Sequence, residues 1–534
     1  MFISKLVNRF SLYWSSHKNH KFYAWLEQYF GNSANSTSKD SIILCELNSM
    51  QPSHIVYAYL TDALSKKFNA SLYAYYTHVN LGFFKRFFLK LDEFFGTPYH
   101  RAYKSFGAKK FLAKKDTLES RKKAKKYYEK IHREVTTKKD VEDIHINGIY
   151  VGDLIYDSFL RDFALPTLDP ESPAFKKFIF DVCKYFAYWE QIFETYDVKA
   201  VNVSHCVYLL AVPLRIAVNR NIDVYQSGIN HIYYLTDKNL FAYNEFKYYS
   251  ENFKELTNVQ KSNALRYAKD RIDLRFSGEV GVDMSYSTKS AFTNKRYQRL
   301  ISESKNIKIL IATHCFIDSP HSYGNNLFTD FYEWIDYLGK VSEKTNYDWY
   351  IKTHPDFFDI TMETVIGFSE KYPKFKILPS DASHNQIIEE GINFVLTTYG
   401  TIGFEYAAKG IKVINASLNN PHISYNFNIH PRSIEEYYKT LMNLNSVNLE
   451  INLSDIYEFY YMKNLYNSDN IFFDDYKKTE GLIGGYKELF TSQIYYAWLN
   501  EFSEEKHEKI IKILANFIES KDFSLNLKHM EISK

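Results

Sequence analysis

Two short runs between residues 347 and 416 carry groups that handle phosphate. The first is Lys352-Thr353-His354-Pro355, a cation and an imidazole two residues apart. The second is Thr397-Thr398-Tyr399-Gly400-Thr401, followed by Glu405. A lysine neutralises an anion as a compact charge. Hydroxyls and N–H groups at a helix start bind phosphate oxygens. Together the two runs suit a phosphate or pyrophosphate. Other candidates lie further off. His205 follows an apolar run, Lys199 to Ser204. Asp153 and Asp157 are four apart, with Arg161 one turn on, so on a helix they share a face. They read either as a helix-start acid with a surface ion pair or as a carboxylate in the acceptor half of a cleft.

The elements that must position these groups read as follows. Tyr347 to Lys352 has the apolar, β-branched and aromatic character of a buried strand. Proline cannot continue a central strand, so the chain turns at Pro355 and leaves Lys352 and His354 at the strand's carboxyl end. A strand over Ile392 to Thr397 runs into a helix, Ile402 to Lys409, closed by Gly410. A strand over Ile411 to Ala416 follows, which makes a parallel βαβ unit. Ligands of open α/β sheets bind outside the carboxyl ends of the strands, where Thr397, Thr398, Gly400 and Thr401 fall. Another strand, Ile307 to Thr313, leads into His314, Asp318 and His321. Two histidines and an aspartate invite a metal, but Pro320 breaks any helix that would align them and no further ligand cluster is near. A strand-end loop facing a cleft is the better account.

The stretches Lys352-Thr-His-Pro355 and Thr397-Thr-Tyr-Gly-Thr-Ile-Gly-Phe-Glu405 resemble the HP and Ser/Thr-rich motifs of GT-B glycosyltransferases that build bacterial surface polysaccharide. That grouping includes capsule Kdo transferases, GT-B sialyltransferases and polysialyltransferases, and the CDP-glycerol polymerases of teichoic acid synthesis. The resemblance implies that His354 and the hydroxyl pair hold the phosphate of a cytidine-activated donor, CMP- or CDP-linked. Threonines stand here where many relatives have serines. Glu405 either hydrogen-bonds the donor's ribose or caps its own helix. An acceptor hydroxyl needs a base within hydrogen-bond reach, and Asp153 and His205 are the candidates.

The expected fold is α/β of the GT-B kind: two Rossmann-like domains with parallel sheets facing a cleft. Residues 1–40 form an N-terminal extension and 41–273 an acceptor domain with a basic helical insertion at 81–139. A linker covers 274–304, a donor-binding domain 305–470 and a helical extension 471–534. At 534 residues the chain exceeds one typical core, which fits this division. No Asp-x-Asp occurs in the sequence, so no metal is expected, and no cofactor beyond the nucleotide sugar.

Composition narrows the partners. Four scattered cysteines with no Cys-x-x-Cys pair suit a reducing cytoplasm and neither a disulfide framework nor a zinc site. Net charge is +3, but residues 85–139 hold 18 Lys and Arg against 6 Asp and Glu, so the remainder is acidic. The block is either a solvated helical face or a surface for anionic lipid. Nucleic acid is a poorer fit, for the rest is acidic and no nucleic-acid motif appears. Phe2, Ile3, Leu6, Val7, Phe10, Tyr13 and Trp14 recur at helical spacing, which predicts an amphipathic helix that packs on the protein or lies in a membrane interface. The expected protein is a cytoplasmic glycosyltransferase, peripheral on the inner membrane face, that extends a lipid-linked or membrane-anchored glycan of capsule or lipopolysaccharide. Two other readings stand beside it: an enzyme like the non-hydrolysing UDP-sugar 2-epimerases, and a non-catalytic assembly protein of the same fold.

Overall fold

The computed structural model describes residues 9, 13–14, 16–31, 41–229, 231–284, 287–354, 359–466, 471–486, 488 and 491–531. Most of the expected helix over Phe2 to Trp14, and Pro355, lie outside the described residues.

The strands, in chain order, are β1 (Ser41–Glu46), β2 (Ser71–Tyr75), β3 (Lys110–Leu112), β4 (His145–Ile146), β5 (Ile149–Tyr150), β6 (Asp197–Val203), β7 (Asp223–Ser227) and β8 (Ile232–Leu235). They continue with β9 (Lys308–Ala312), β10 (Asp348–Lys352), β11 (Phe375–Ile377), β12 (Phe394–Thr397) and β13 (Lys412–Asn415). The first sheet has the order β3-β2-β1-β6-β7-β8 and the second β11-β10-β9-β12-β13; β4 and β5 form a small hairpin. The neighbours are parallel except at the edge pair β7–β8. Five parallel strands therefore repeat one topology twice, with the third, second, first, fourth and fifth strand side by side, which is the Rossmann-like order.

Parallel strands are covered by helices on both faces, so they need continuous apolar runs. All six residues of β1 are buried. The helix after β1, Gln51–Phe68, starts on Pro52, whose fixed φ suits a first turn. It stops at Asn69, which takes a left-handed φ of 46°. One core layer lies on each side of each sheet.

Four local features differ from expectation. The basic segment is not wholly helical: β3 lies inside it and extends the first sheet, pairing Tyr73 with Lys110. The expected helical extension 471–534 is not one helix: Gln493–Glu501 and Glu504–Ser520 are separate, because Ser503 caps the second through the N–H of Lys506. Trp498, Leu514 and Phe517 of this pair pack with Phe22, Trp25 and Tyr59 of the first domain. The helix Leu453–Asn464 packs on Asn258–Phe276 in a core layer of their own. Within the expected linker, Leu300 and Ile301 donate their N–H groups to the Glu390 carboxylate of the second domain at 2.8 and 2.7 Å.

Candidate functional site

β9, β10 and β12 are neighbours, so their carboxyl ends bring Lys352, His314 and the Thr397 turn together. Lys352 is buried and donates to the carbonyl oxygens of Ser380 at 2.9 Å and Thr353 at 3.4 Å. Burial lowers its pKa to about 8, against the opposing pull of Asp381 and Glu405. His354 is exposed two residues on. Its charge adds to the effect of burial in lowering both His314 and His384.

His314 is an internal strut. Its Nε2 lies 3.4 Å from the N–H groups of both Thr398 and Tyr399, and 3.2 Å from Thr397 Oγ1. A backbone N–H can only donate, so Nε2 accepts and the neutral ring carries its proton on Nδ1. Burial first, then His354, drives its pKa down to about 3, in keeping with a neutral ring. The ring stacks on Phe331 at 4.7 Å and lies 4.5 Å from Tyr399. Thr397 Oγ1 also accepts from Gly400 N at 3.3 Å, and a Cβ at Gly400 would come within 2.9 Å of that oxygen. The turn thus uses its own first N–H groups. Thr401 and Ile402 begin the helix Ile402–Ala407, in whose first turn Gly403 N donates to the Gly400 carbonyl at 2.9 Å and Phe404 and Glu405 N both donate to the Thr401 carbonyl at 3.2 Å. Thr398 is buried beside them, and its Oγ1 has no partner among the described residues.

Glu405 does not cap its helix. Its buried carboxylate accepts from Arg275 Nε at 2.6 Å, so the helix Asn258–Phe276 is tied to the second domain. Lys463, on Leu453–Asn464, joins them: burial and the charge of Arg275 lower its pKa to about 8 while Glu405 opposes. Glu405 thus pairs with Arg275 and acts by charge on Lys352 and Lys463, while Asp381 also acts on Lys352. Arg275 and Lys463 were missed in the sequence, because each sits on a helix with no local motif and meets Glu405 only through the fold.

The first domain supplies the facing half. β1 ends at Glu46 and β6 at Val203, side by side. Buried Glu46 accepts from Ser204 N at 2.7 Å and Ser204 Oγ at 2.6 Å. Burial raises its pKa, against these bonds and the charge of His205. His205 Nδ1 donates to the Ser204 carbonyl at 2.5 Å, which leaves Nε2 facing outward from an exposed ring. Glu46 was also missed, since a lone acid at a strand end has no signature.

His205, Arg161 and Tyr208 line two adjoining cavities of about 520 Å³ each. One reaches into the first domain past Thr77, Asn80, Lys85 and Ser158. The other faces the second domain at His314, Asp318, Tyr323 and Tyr399. Tyr208 holds a φ of 59°, a strained conformation for a side-chain-bearing residue. Its hydroxyl donates to Asp318 at 2.6 Å, and Arg161 reaches both at 2.6 and 3.0 Å.

The helix Gly152–Phe163 carries four charged residues, Asp153, Asp157, Arg161 and Asp162, which go different ways. Asp153 Oδ2 is buried against Arg215 at 2.5 Å and the residue lines neither cavity, while its Oδ1 has no partner among the described residues. Asp157 accepts from His321 Nδ1 at 2.6 Å, and His321 Nε2 lies 3.4 Å from Glu142. His321 is thus buried between two carboxylates at the domain junction and does not face the cavities. Arg161 and Asp162 reach the cleft, beside Ser158. Nearby, Tyr156 and Thr167 both donate to Asp330 at 2.6 Å across the same junction. Among the described residues no group of three or more His, Cys, Asp and Glu is placed to hold a metal ion.

Two Rossmann-like domains in tandem, with strand-end loops on a shared cleft, make up the GT-B fold. No protein-family model matches the chain, and no curated protein matches it in sequence. Solved structures similar to it include KpsC of Thermosulfurimonas dismutans, a beta Kdo 2,4 transferase, at TM-score 0.32 and 11% identity over 49% of this chain and 79% of that one. A glycosyltransferase of Rickettsia africae is similar at TM-score 0.22 and 10% identity, over 80% of this chain and 94% of its own. The UDP-GlcNAc 2-epimerase of Methanocaldococcus jannaschii, in complex with UDP-GlcNAc and UDP, gives 0.22 and 12%, over 78% and 97%.

Proposed function

We propose that this chain is a metal-independent glycosyltransferase of capsule or lipopolysaccharide synthesis. It would move a sugar, or sugar-like group, from a CMP- or CDP-linked donor to a growing surface glycan at the inner face of the cytoplasmic membrane. The observation that carries this reading is the cluster of positive charge around Glu405, where Lys352 at the end of β10 is joined by Arg275 and Lys463 from two helices. Arg275 pairs with Glu405, and the charge of that carboxylate also reaches Lys352 and Lys463, with Asp381 acting on Lys352 as well.

In the proposed transfer an acceptor hydroxyl oxygen bonds to the donor's anomeric carbon, and the bond from that carbon to the phosphate oxygen breaks. The hydroxyl proton passes to His205 Nε2. The electron pair leaves on the nucleotide phosphate, which Lys352, His354 and the Thr401 helix start neutralise. Preorganised charges of this kind act where charge develops in the transition state. Asp153, tied to Arg215, is the weaker base candidate.

The test is incubation of the protein with CMP-, CDP- and UDP-linked sugars while free nucleotide is measured. Release of CMP or CDP that depends on an acceptor glycan is the expected result. Conversion of a UDP-sugar to its epimer without nucleotide release would instead establish the epimerase reading.

A further inference from the structure

Arg161, Tyr208 and Asp318 meet at the seam of the two cavities. Arg161 and Tyr208 belong to the first domain and line both, while Asp318 comes from the second and lines one. The Arg161 guanidinium lies over the Tyr208 ring at 4.8 Å. Its Nη1 donates to the Tyr208 hydroxyl at 2.6 Å and to Asp318 Oδ1 at 3.0 Å, and that hydroxyl donates to the same Oδ1 at 2.6 Å. One carboxylate oxygen of the second domain is therefore held by two donors of the first.

Stability does not account for this contact. The Arg161 and Asp318 side chains are 54% and 56% exposed, and exposed ion pairs add little. The junction is already closed by the buried bonds of His321 to Asp157 and of Tyr156 to Asp330. Yet Tyr208 is kept at its positive φ, a strain that persists only where neighbours fix it. Here they do. Leu209 N donates to Ser158 Oγ at 2.8 Å, and Ala211 N to the Tyr208 carbonyl at 3.1 Å. Strain fixed at the edge of a cavity is a mark of function rather than of packing.

The partner that the two donors already have is a carboxylate, and it uses them incompletely. Only Nη1 of the guanidinium is engaged; Nε and Nη2 make no hydrogen bond among the described residues. An arginine fork can bind both oxygens of a carboxylate in parallel, which is the stronger arrangement. A ligand carboxylate that is free to turn can use that fork, and so displace Asp318. The first-domain cavity behind Arg161 suits the rest of a sugar. Thr77, Asn80 and Ser158 line it with polar groups, and Lys85 adds a second cation, whose pKa burial lowers with no carboxylate opposing. Asp162 is the one carboxylate lining that cavity among the described residues, and burial raises its pKa against the charge of Arg161.

We infer that Arg161 and Tyr208 form a subsite for the carboxylate of an acidic sugar, and that Asp318 competes with that carboxylate for the same two donors. A sugar held there lies beside His205, which lines both cavities with them. The acidic sugar is then the unit of the acceptor that the enzyme recognises. That last step rests on the transferase reading above; the subsite does not.

Binding of glucuronate and galacturonate, each beside its neutral counterpart glucose or galactose, is measured by ligand-observed NMR on the full chain without nucleotide. The wild type should bind at least one acid more tightly than its neutral counterpart. Asp318→Asn should bind that acid about fivefold tighter, the worth of one exposed ion pair. Arg161→Met should bind it about tenfold or more weakly, and Tyr208→Phe should weaken it by a smaller factor. Asp318→Asn and Arg161→Met should keep the wild-type melting temperature, since both side chains are largely exposed. A purely structural tie predicts no gain on removing Asp318. An Asp318→Asn protein that binds the acids no more tightly than wild type therefore overturns the inference. So does an Asp318→Asn protein that binds neither acid, or binds acids and neutral sugars alike. Nucleotide release, assayed separately, keeps the two readings apart. Release with no gain in Asp318→Asn removes the subsite and leaves the transferase reading standing. Tighter acid binding without release does the reverse.

Discussion

His321 of the second domain and Asp157 of the first meet with Nδ1 2.6 Å from Oδ1, in a site closed to solvent on both sides. Burial alone would lower the imidazole's pKa. Asp157, then Glu142 behind it, outweigh burial and lift it to about 10. The charged groups facing the ring are those two carboxylates, with the Asp153–Arg215 pair behind Asp157.

A folded-state pKa raised above the ordinary histidine value has a definite sign. The stability it contributes is fully present below about pH 6.5 and is lost as pH rises through about 10. His321→Gln should therefore melt lower than wild type at neutral pH, by an amount that shrinks towards pH 10. Breaking a buried pair by removing one partner typically costs about 3–5 kcal/mol. Thermal unfolding of both proteins across that range is the check. A difference that stays constant with pH would show that His321 is neutral in the folded protein.

The contact between Glu46 and Ser204 supports a second expectation. Glu46 fixes the Ser204 peptide, whose carbonyl in turn fixes His205 Nδ1. His205→Ala should lower turnover by about 10²–10⁴-fold, the usual contribution of a positioned general base. Glu46→Gln should lower turnover less, about tenfold, while nucleotide affinity stays unchanged, since the cations assigned to the nucleotide lie across the cleft. Calorimetric titration of the nucleotide beside steady-state kinetics separates the two quantities. A Glu46→Gln protein with wild-type turnover would remove Glu46 from the site.

These two contacts mark where sequence reading stops. The strand ends at Lys352 and Thr397 were legible, because a buried parallel strand is a continuous apolar run and Pro355 or a hydroxyl turn ends it. The shared helical face of Asp153, Asp157 and Arg161 was legible too, from spacing alone. Their partners were not. Arg215 is 62 residues away, Asp318 157 and His321 164, and Arg275 lies 130 from Glu405. No local pattern encodes such a pair; packing of the two domains does. Charge also hid periodicity. The segment 81–139 read as a basic, aromatic helical insertion, and the three-residue edge strand β3 inside it went unremarked.

Metal independence is a third expectation. The sequence has no Asp-x-Asp, and the proposed donor site already has Arg275, Lys352 and Lys463 within the reach of Glu405. Nucleotide release should continue in EDTA and fall instead in Arg275→Met, which leaves Glu405 buried without its partner. Loss of activity on chelation, restored by magnesium or manganese, would refute it.

The last expectation concerns Lys352, where function and stability pull in opposite directions. Burial holds its pKa at about 8, below the ordinary lysine value. Keeping it charged at neutral pH therefore costs the fold on the order of 3 kcal/mol, at 1.36 kcal/mol per unit. Between about pH 8 and 10.5 the unfolded lysine holds a proton that the folded one has lost, so this cost fades as pH rises. Lys352→Met removes the charge, and with it the bonds to Ser380 and Thr353, each worth about 0.5–1.5 kcal/mol. Its melting temperature at pH 7 should be no lower than wild type, while turnover falls sharply. A residue kept only for structure would lose both together. The pH profile carries the same logic. kcat/KM reports the free enzyme, so it should decline through about pH 8 as Lys352 loses its proton. Lys463 titrates in the same range and belongs to the same cluster. Lys352→Arg/Lys463→Arg keeps both charges at every accessible pH and should move that alkaline limb upward. An alkaline limb that stays in place in the double variant would mean that neither lysine neutralises the leaving phosphate.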